Sequence, residues 1–232
     1  MQRTSHYGYP YPGAGAGTQD DHRHESIHVL RCATTGLCSV CRRLFPPQWP
    51  ESCLWVVFAG HFEDDGRVEY LEEIVKNGFK LKLFGPGKYW DPVLQESELL
   101  RHLVPLQQVW GNDYNKALCG AKVALCFMSK LNKDTYTRRC FEIPATKTVL
   151  VSEHSDELAT LYNSGVEADF FKSKQELIQI LHRYVNNEAY RKSVAEAGYA
   201  RVVADGHDVI SRMKKGLKWL EEIKIKNLKV DY

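Results

Sequence analysis

Two short apolar runs, at residues 121–127 and 148–152, bracket a polar, charge-rich segment. Each run reads as a buried strand, and the stretch between them as a short crossover helix, the connection that parallel neighbours require. Ligands on such sheets sit beyond the carboxyl ends of the strands, where a helix N-terminus offers free N–H groups and a partial positive charge. Asn132 and Asp134 are residue types that cap such an end. On that reading Arg138 and Arg139 add full charges one turn in, and Glu142 lies two turns beyond the cap. Asp134 and Glu142 are eight positions apart, roughly 12 Å along a helix axis. That separation suits a ligand with a diphosphate at its centre and hydroxyl groups at both ends.

Lys130, Asn132, Asp134, Thr137, Arg139, Phe141-Glu142 and Pro144-Ala145 form one set with Glu153, Glu167-Ala168-x-Phe170-Phe171 and Ser173-x-x-Glu176-Leu177. In combination they resemble the donor-binding, C-terminal half of GT-B glycosyltransferases, specifically the group-1 enzymes that include the CgeB-like spore-maturation proteins. The resemblance runs from about residue 54 to about residue 220. In many retaining members two glutamates flank seven residues; the second holds the ribose hydroxyls and the first faces the donor sugar. Here the pair is Asp134 and Glu142, so the first position carries a shorter carboxylate. The resemblance implies a nucleoside-diphosphate sugar as donor substrate, no cofactor and no metal. Charge growing on the diphosphate would be met by basic side chains, Lys130, Arg139 and Arg67, with Thr137 as a hydroxyl donor. The expected catalytic residues are therefore Asp134 and Arg139. The expected donor-binding residues are Gly60, Arg67, Lys130, Asn132, Thr137 and Glu142. The plainer reading of the segment is an amphipathic crossover helix with surface arginines.

The flanking chain alternates in the same way. Residues 54–59 form the first clear strand, and Gly60 follows it; in a nucleotide-binding sheet a glycine there lets the backbone approach a phosphate. A loop with Glu63, Asp64 and Asp65 leads to Arg67, which opens a helix carrying Val68, Leu71, Ile74 and Val75 as one apolar stripe. The family places a basic residue near this loop to meet the diphosphate, so Arg67 is its candidate; a surface arginine balancing Glu63 or Asp64 is the alternative. A half-covered strand at 79–84, a turn at 85–90 and a helix at 92–103 are expected next. Asn112 and Asp113 then cap a helix through Leu118, and Tyr114 and Trp90 either face the donor or pack in the core or rim. Downstream, Ser155-Asp156 caps a helix, 166–171 reads as the last strand, and Ser173 to Glu176 reads as a capping box. A helix at 188–204, a break at 205–207 and a final helix to about residue 224 complete the pattern. The expected architecture is a Rossmann-like, doubly wound parallel α/β sheet with C-terminal helices, a single GT-B half.

Residues 1–25 are rich in Gly, Pro and Tyr and are expected to be a disordered leader. Residues 26–53 form a poorly defined segment, 54–223 the nucleotide-sugar-binding domain, and 224–232 a basic tail. His22, His24 and His28 sit in polar context as solvated histidines, and Cys38-x-x-Cys41 lacks the second close pair that a zinc site requires. The chain has seven cysteines. Of these, Cys119, Cys126 and Cys140 fall on the sheet layer as free thiols, which points to a reducing, cytoplasmic setting. A net charge of +2 supplies no drive toward nucleic acid or membrane, and no apolar run approaches the roughly 20 residues of a membrane span. About 50 residues precede the sheet, too few for an acceptor domain. The chain is therefore expected to be a shortened protein, a truncated gene product, or a subunit completed by a partner domain or a homo-oligomer, with the acceptor unknown. A non-catalytic nucleotide-sugar-binding or scaffolding domain is the other function class; a dinucleotide oxidoreductase is set aside because no G-x-G-x-x-G follows the first strand.

Overall fold

The computed structural model describes residues 55–228. The leader, the 26–53 segment with its histidines and Cys38-x-x-Cys41, and the end of the tail lie outside the described residues. The chain runs through β1 (Trp55–Ala59), α1 (Arg67–Lys76), β2 (Lys80–Phe84), α2 (Gly87–Glu96), a 3₁₀ turn (Arg101–Leu103), α3 (Gly111–Cys119) and β3 (Val123–Cys126). It continues through α4 (Arg139–Ala145), β4 (Val149–Glu153), α5 (Asp156–Leu161), β5 (Asp169–Phe171), α6 (Lys174–Asn186), α7 (Glu188–Ala204) and α8 (Val209–Leu228). All neighbouring strands are parallel, in the order β2-β1-β3-β4-β5. This is the expected Rossmann-like sheet with C-terminal helices. The chain leaves β1 in one direction and β3 in the other, so the strand order reverses between them, the place where such sheets open a crevice.

The inner strands are apolar on both faces because helices cover both: Val56, Val57 and Phe58, Val123 to Cys126, and Val149 to Val151 are all buried. β2 is an edge strand and alternates, with Leu81 and Leu83 buried and Lys82 half-buried. On one face Phe58, Leu71, Trp90, Leu94, Phe127 and Phe171 join one core. On the other, Ala124, Cys126, Cys140, Phe141, Leu150 and Leu158 join a second. Phe127 ties the first core together, with edge-on ring contacts to Phe58 at 5.1 Å and Phe171 at 5.7 Å. Two of the expected caps form: the Ser155 and Ser173 hydroxyls accept the N–H groups of Leu158 and Glu176. The Asn112-Asp113 cap does not, because α3 already begins at Gly111 after the extended Trp110 and has no side-chain cap. Glu176 reaches back to the Lys172 N–H at 2.6 Å, one residue earlier than a capping box prescribes.

Three elements differ from expectation. The helix expected at 92–103 is α2, which starts at Gly87 and carries Pro92 inside it, followed by the separate 3₁₀ turn. The fully buried Trp90 and Leu94 draw this helix onto the core, a tertiary gain that outweighs the preference of proline for a first turn. The last strand is confined to Asp169–Phe171, because Asn163 pins the residues before it into a turn: its carbonyl accepts the Glu167 N–H and its N–H binds the Glu167 carboxylate. The crossover helix begins at Arg139, not at the Asn132–Asp134 cap. At the far end, α8 leaves Ile210, Met213, Leu217 and Leu220 exposed along one stripe. No helix among the described residues is long and apolar enough to cross a membrane.

Candidate functional site

A cleft of about 660 Å³ opens at the carboxyl end of β1, between the β2–α2 turn and the start of α3 on one side and the β3–α4 connection on the other. Its floor is Gly60. The Gly60 N–H donates to the Phe84 carbonyl at 3.0 Å, and its own carbonyl accepts the indole N–H of Trp90 at 2.9 Å. A Cβ at Gly60 would stand 2.7 Å from the Phe58 ring, and one at Gly85 would stand 2.4 Å from the Gly60 carbonyl oxygen. The two glycines are therefore required by the packing of Phe58 and Trp90 beneath them, and they leave a floor bare of side chains. Trp90 is a core residue that holds this floor from below.

Over the floor lies Arg139, whose Nε donates to the Ala59 carbonyl at 2.7 Å. That bond fixes the guanidinium at the end of β1. The α4 N-terminus itself is closed. The Thr137 hydroxyl accepts the Arg139 N–H at 3.2 Å and its carbonyl the Cys140 N–H at 3.1 Å; the Arg138 carbonyl accepts both the Phe141 and the Glu142 N–H at 2.9 Å. The free N–H groups expected at this helix start are thus already engaged, and positive charge reaches the cleft from the side chains of Arg138 and Arg139. Asp134 stands in a turn made by Ser129, whose carbonyl accepts the Asp134 N–H at 2.9 Å and whose hydroxyl accepts the Asn132 N–H at 3.1 Å. Asp134 and Glu142 both line the cleft, yet they do not share a helix, so the 12 Å helical spacing inferred from their sequence separation does not describe them.

Gly60, Asp134, Thr137, Arg139 and Glu142 are therefore brought together; Arg67, Lys130 and Asn132 do not line the cleft. Arg67 is buried, with its guanidinium bound to Asp65 at 2.6 Å, Glu63 at 3.2 Å and the His61 carbonyl at 2.7 Å. Only 6% of its side chain and 4% of that of Asp65 are accessible. Burial alone would raise the Asp65 carboxyl, but the hydrogen bonds and charge of Arg67 overcome it and hold the group below its ordinary value. Glu63 also accepts the Leu131 N–H at 2.7 Å, so this buried cluster ties the loop after β1 to the loop after β3. Lys130 is exposed and paired with Glu153, whose second oxygen accepts the Met128 N–H at 3.1 Å. Asn132 is exposed.

Further residues complete the site. The Tyr114 hydroxyl donates to Glu142 Oε2 at 3.1 Å. His61 and the exposed Trp110 stand on the rim. Partial burial, then the charges of Arg139 and Arg67, hold the His61 imidazolium below its ordinary range. His61 and Trp110 carry no pattern in sequence, whereas Tyr114 stood at a helix start and was legible as a candidate. Cys126 and Cys140 are buried free thiols, and Cys119 is a partly buried one.

The profile of the glycosyl transferase-like family matches residues 67–218. The chain belongs to that family. The match runs from α1 into α8 and covers every cleft residue named above except Ala59, Gly60 and His61. Solved structures of similar fold include a glycosyltransferase from Rickettsia africae ESF-5, 13% identical with a TM-score of 0.65, covering 84% of this chain and 54% of that one. Anabaena HepE in complex with UDP-glucose is 13% identical with a TM-score of 0.64, covering 83% of this chain and 55% of that one. Sucrose-phosphate synthase from Thermosynechococcus elongatus is 13% identical with a TM-score of 0.60, covering 81% and 49%. At such identities the likeness is one of fold. This glycosyl transferase-like chain spans about half the length of these proteins. No curated protein sequence matches it.

Proposed function

We propose that this chain binds a nucleoside-diphosphate sugar and serves as the donor-binding, C-terminal half of a GT-B glycosyltransferase of the CgeB-like group-1 kind, acting on an unidentified acceptor. The observation that carries this reading is the convergence of Arg139, Thr137 and Glu142 around a floor kept bare at Gly60, at the point where the strand order reverses. Breaking an anomeric bond loads negative charge onto the departing diphosphate, and a fixed cation at that point lowers the barrier without reorganising. Arg139, anchored on the Ala59 carbonyl, is such a cation, and Arg138, with 92% of its side chain exposed and 3.9 Å from Glu142, adds a second positive charge to the cleft lining. Glu142 accepts hydrogen bonds from ribose hydroxyls, the task of an acidic residue in dinucleotide folds, and Asp134 meets the sugar. The donor site is proposed to work without a metal, the diphosphate charge being met by Arg139 and Arg138 instead. HepE, of similar fold, was solved with UDP-glucose and with UDP, which supports the ligand class. The acceptor would be presented by a partner domain or a second copy, in a reducing cytoplasmic setting that the free thiols favour.

A second reading, a non-catalytic nucleotide-sugar-binding or scaffolding domain, draws on one observation: Arg67 and Lys130, two of the cations expected at the diphosphate, are paired with carboxylates elsewhere. Titration calorimetry of the chain with UDP, GDP and ADP and their sugars tests the shared core of both readings. One nucleoside diphosphate is expected to bind with single-site stoichiometry, equally in magnesium and in excess chelator. No binding across the panel, or binding abolished by chelator, overturns the site.

A further inference from the structure

We infer that Tyr114 is a positioning residue for Glu142 and that the pair makes the cleft selective for ribonucleotides over their deoxy forms; the inference rests on the nucleotide-sugar reading of the cleft. Tyr114 comes from α3 and Glu142 from α4, two helices joined here by the 3.1 Å bond from the phenol to Oε2. The Tyr114 ring packs against both the Ala124–Cys126–Leu150 core and the Val57–Phe84–Ala117 core, so the hydroxyl has a fixed origin. Burial, and next the adjacent charge of Glu142, push its ionisation well above the ordinary tyrosine range, so the phenol stays protonated and acts as a donor throughout the working range of pH.

The bond occupies one oxygen of the carboxylate and fixes its torsion. The other oxygen, Oε1, lies 3.9 Å from the exposed Arg138 guanidinium, and the residue faces the cleft. An ionised carboxylate has about four lone-pair positions; one taken by Tyr114 still leaves enough to accept both hydroxyls of a vicinal diol. A glutamate free to rotate would lose that freedom on binding, whereas a clamped one is already ordered. The plainer role for Tyr114 is a tie between α3 and α4, which would act on every ligand alike.

The test compares UDP with 2′,3′-dideoxy-UDP, and ADP with 2′,3′-dideoxy-ADP, on the full chain and on Tyr114→Phe, Glu142→Gln and the double variant. Tyr114→Phe keeps the ring packing and removes only the donor. It is expected to weaken the ribonucleotide about 3- to 10-fold, the scale of one hydrogen bond, and to leave the dideoxy form unchanged. Glu142→Gln narrows the same ratio, and adding Tyr114→Phe to it narrows the ratio no further. Equal losses for both sugar forms, or an unchanged ratio while the wild-type chain binds, overturn the role of Tyr114 alone. A wild-type chain that binds no nucleoside diphosphate overturns the reading of the cleft and this inference with it.

Discussion

Arg139 and His61 share the carboxyl end of β1, and their charges are linked. Partial burial and the two nearby guanidiniums, of Arg139 and Arg67, disfavour the imidazolium, so His61 is neutral at neutral pH. A diphosphate bound beside Arg139 would offset that repulsion, so protonation of His61 and binding of the anion should favour each other. Affinity for the nucleoside diphosphate is therefore expected to rise as pH falls below the ordinary histidine value of about 6.5. Stability runs the other way. With its folded value depressed, His61 adds stability above the unfolded value that is lost as pH falls through the folded one, because the unfolded chain then binds the proton more readily. Calorimetry and thermal unfolding across this range check both trends, and His61→Gln should flatten both; an affinity slope that survives the substitution refutes the assignment. His61 escaped the sequence reading because a lone histidine beside three acids has no distinguishing spacing. Arg67 shows the converse: an arginine among acids reads equally well as ligand or partner, and only its burial between Asp65 and Glu63 decides.

Helix α7 illustrates what an element boundary does and does not convey. Its span, Glu188–Ala204, is the one read from sequence, with Asn187 supplying the cap by accepting the Tyr190 N–H at 2.9 Å. Nothing local marks Gly198, yet a Cβ there would lie 2.4 Å from the Glu167 carbonyl oxygen and 3.5 Å from Pro144 on α4. Arg201, one turn on, binds Glu167 at 3.1 Å and locks the same approach. Gly198→Ala raises helix propensity by about 1 kcal/mol, but the atom it meets is backbone with no flexible end to yield. A net destabilisation of about 1–3 kcal/mol is expected, read from urea unfolding; a net gain would mean that α7 slides freely on the sheet. The same tertiary demands explain why α2 and α4 start where their local patterns do not place them. Trp90 must reach Gly60, and Arg139 must reach Ala59.

At the scale of the molecule, the cleft is lined by one sheet domain among the described residues, whereas sugar transfer requires an acceptor held against the anomeric carbon with water excluded. The 232-residue chain alone is expected to bind donor and to release nucleoside diphosphate only slowly, by hydrolysis, when mixed with candidate acceptors. Rapid transfer by a protein shown by light scattering to be monomeric would refute this. The parallel sheet was legible in the sequence because the centre of a doubly covered strand is an uninterrupted apolar run, as at residues 123–126 and 149–151, and because caps such as Ser155 and Ser173 act on residues three positions away. The carboxylates and Arg139 of the cleft were legible as a cluster around one crossover. Which charges remain available there was decided by tertiary structure alone. The bonds that spend Glu63 on Leu131, anchor Arg139 on Ala59 and clamp Glu142 with Tyr114 join residues 68, 80 and 28 positions apart. No local spacing encodes such distances; they exist only once the strands are side by side.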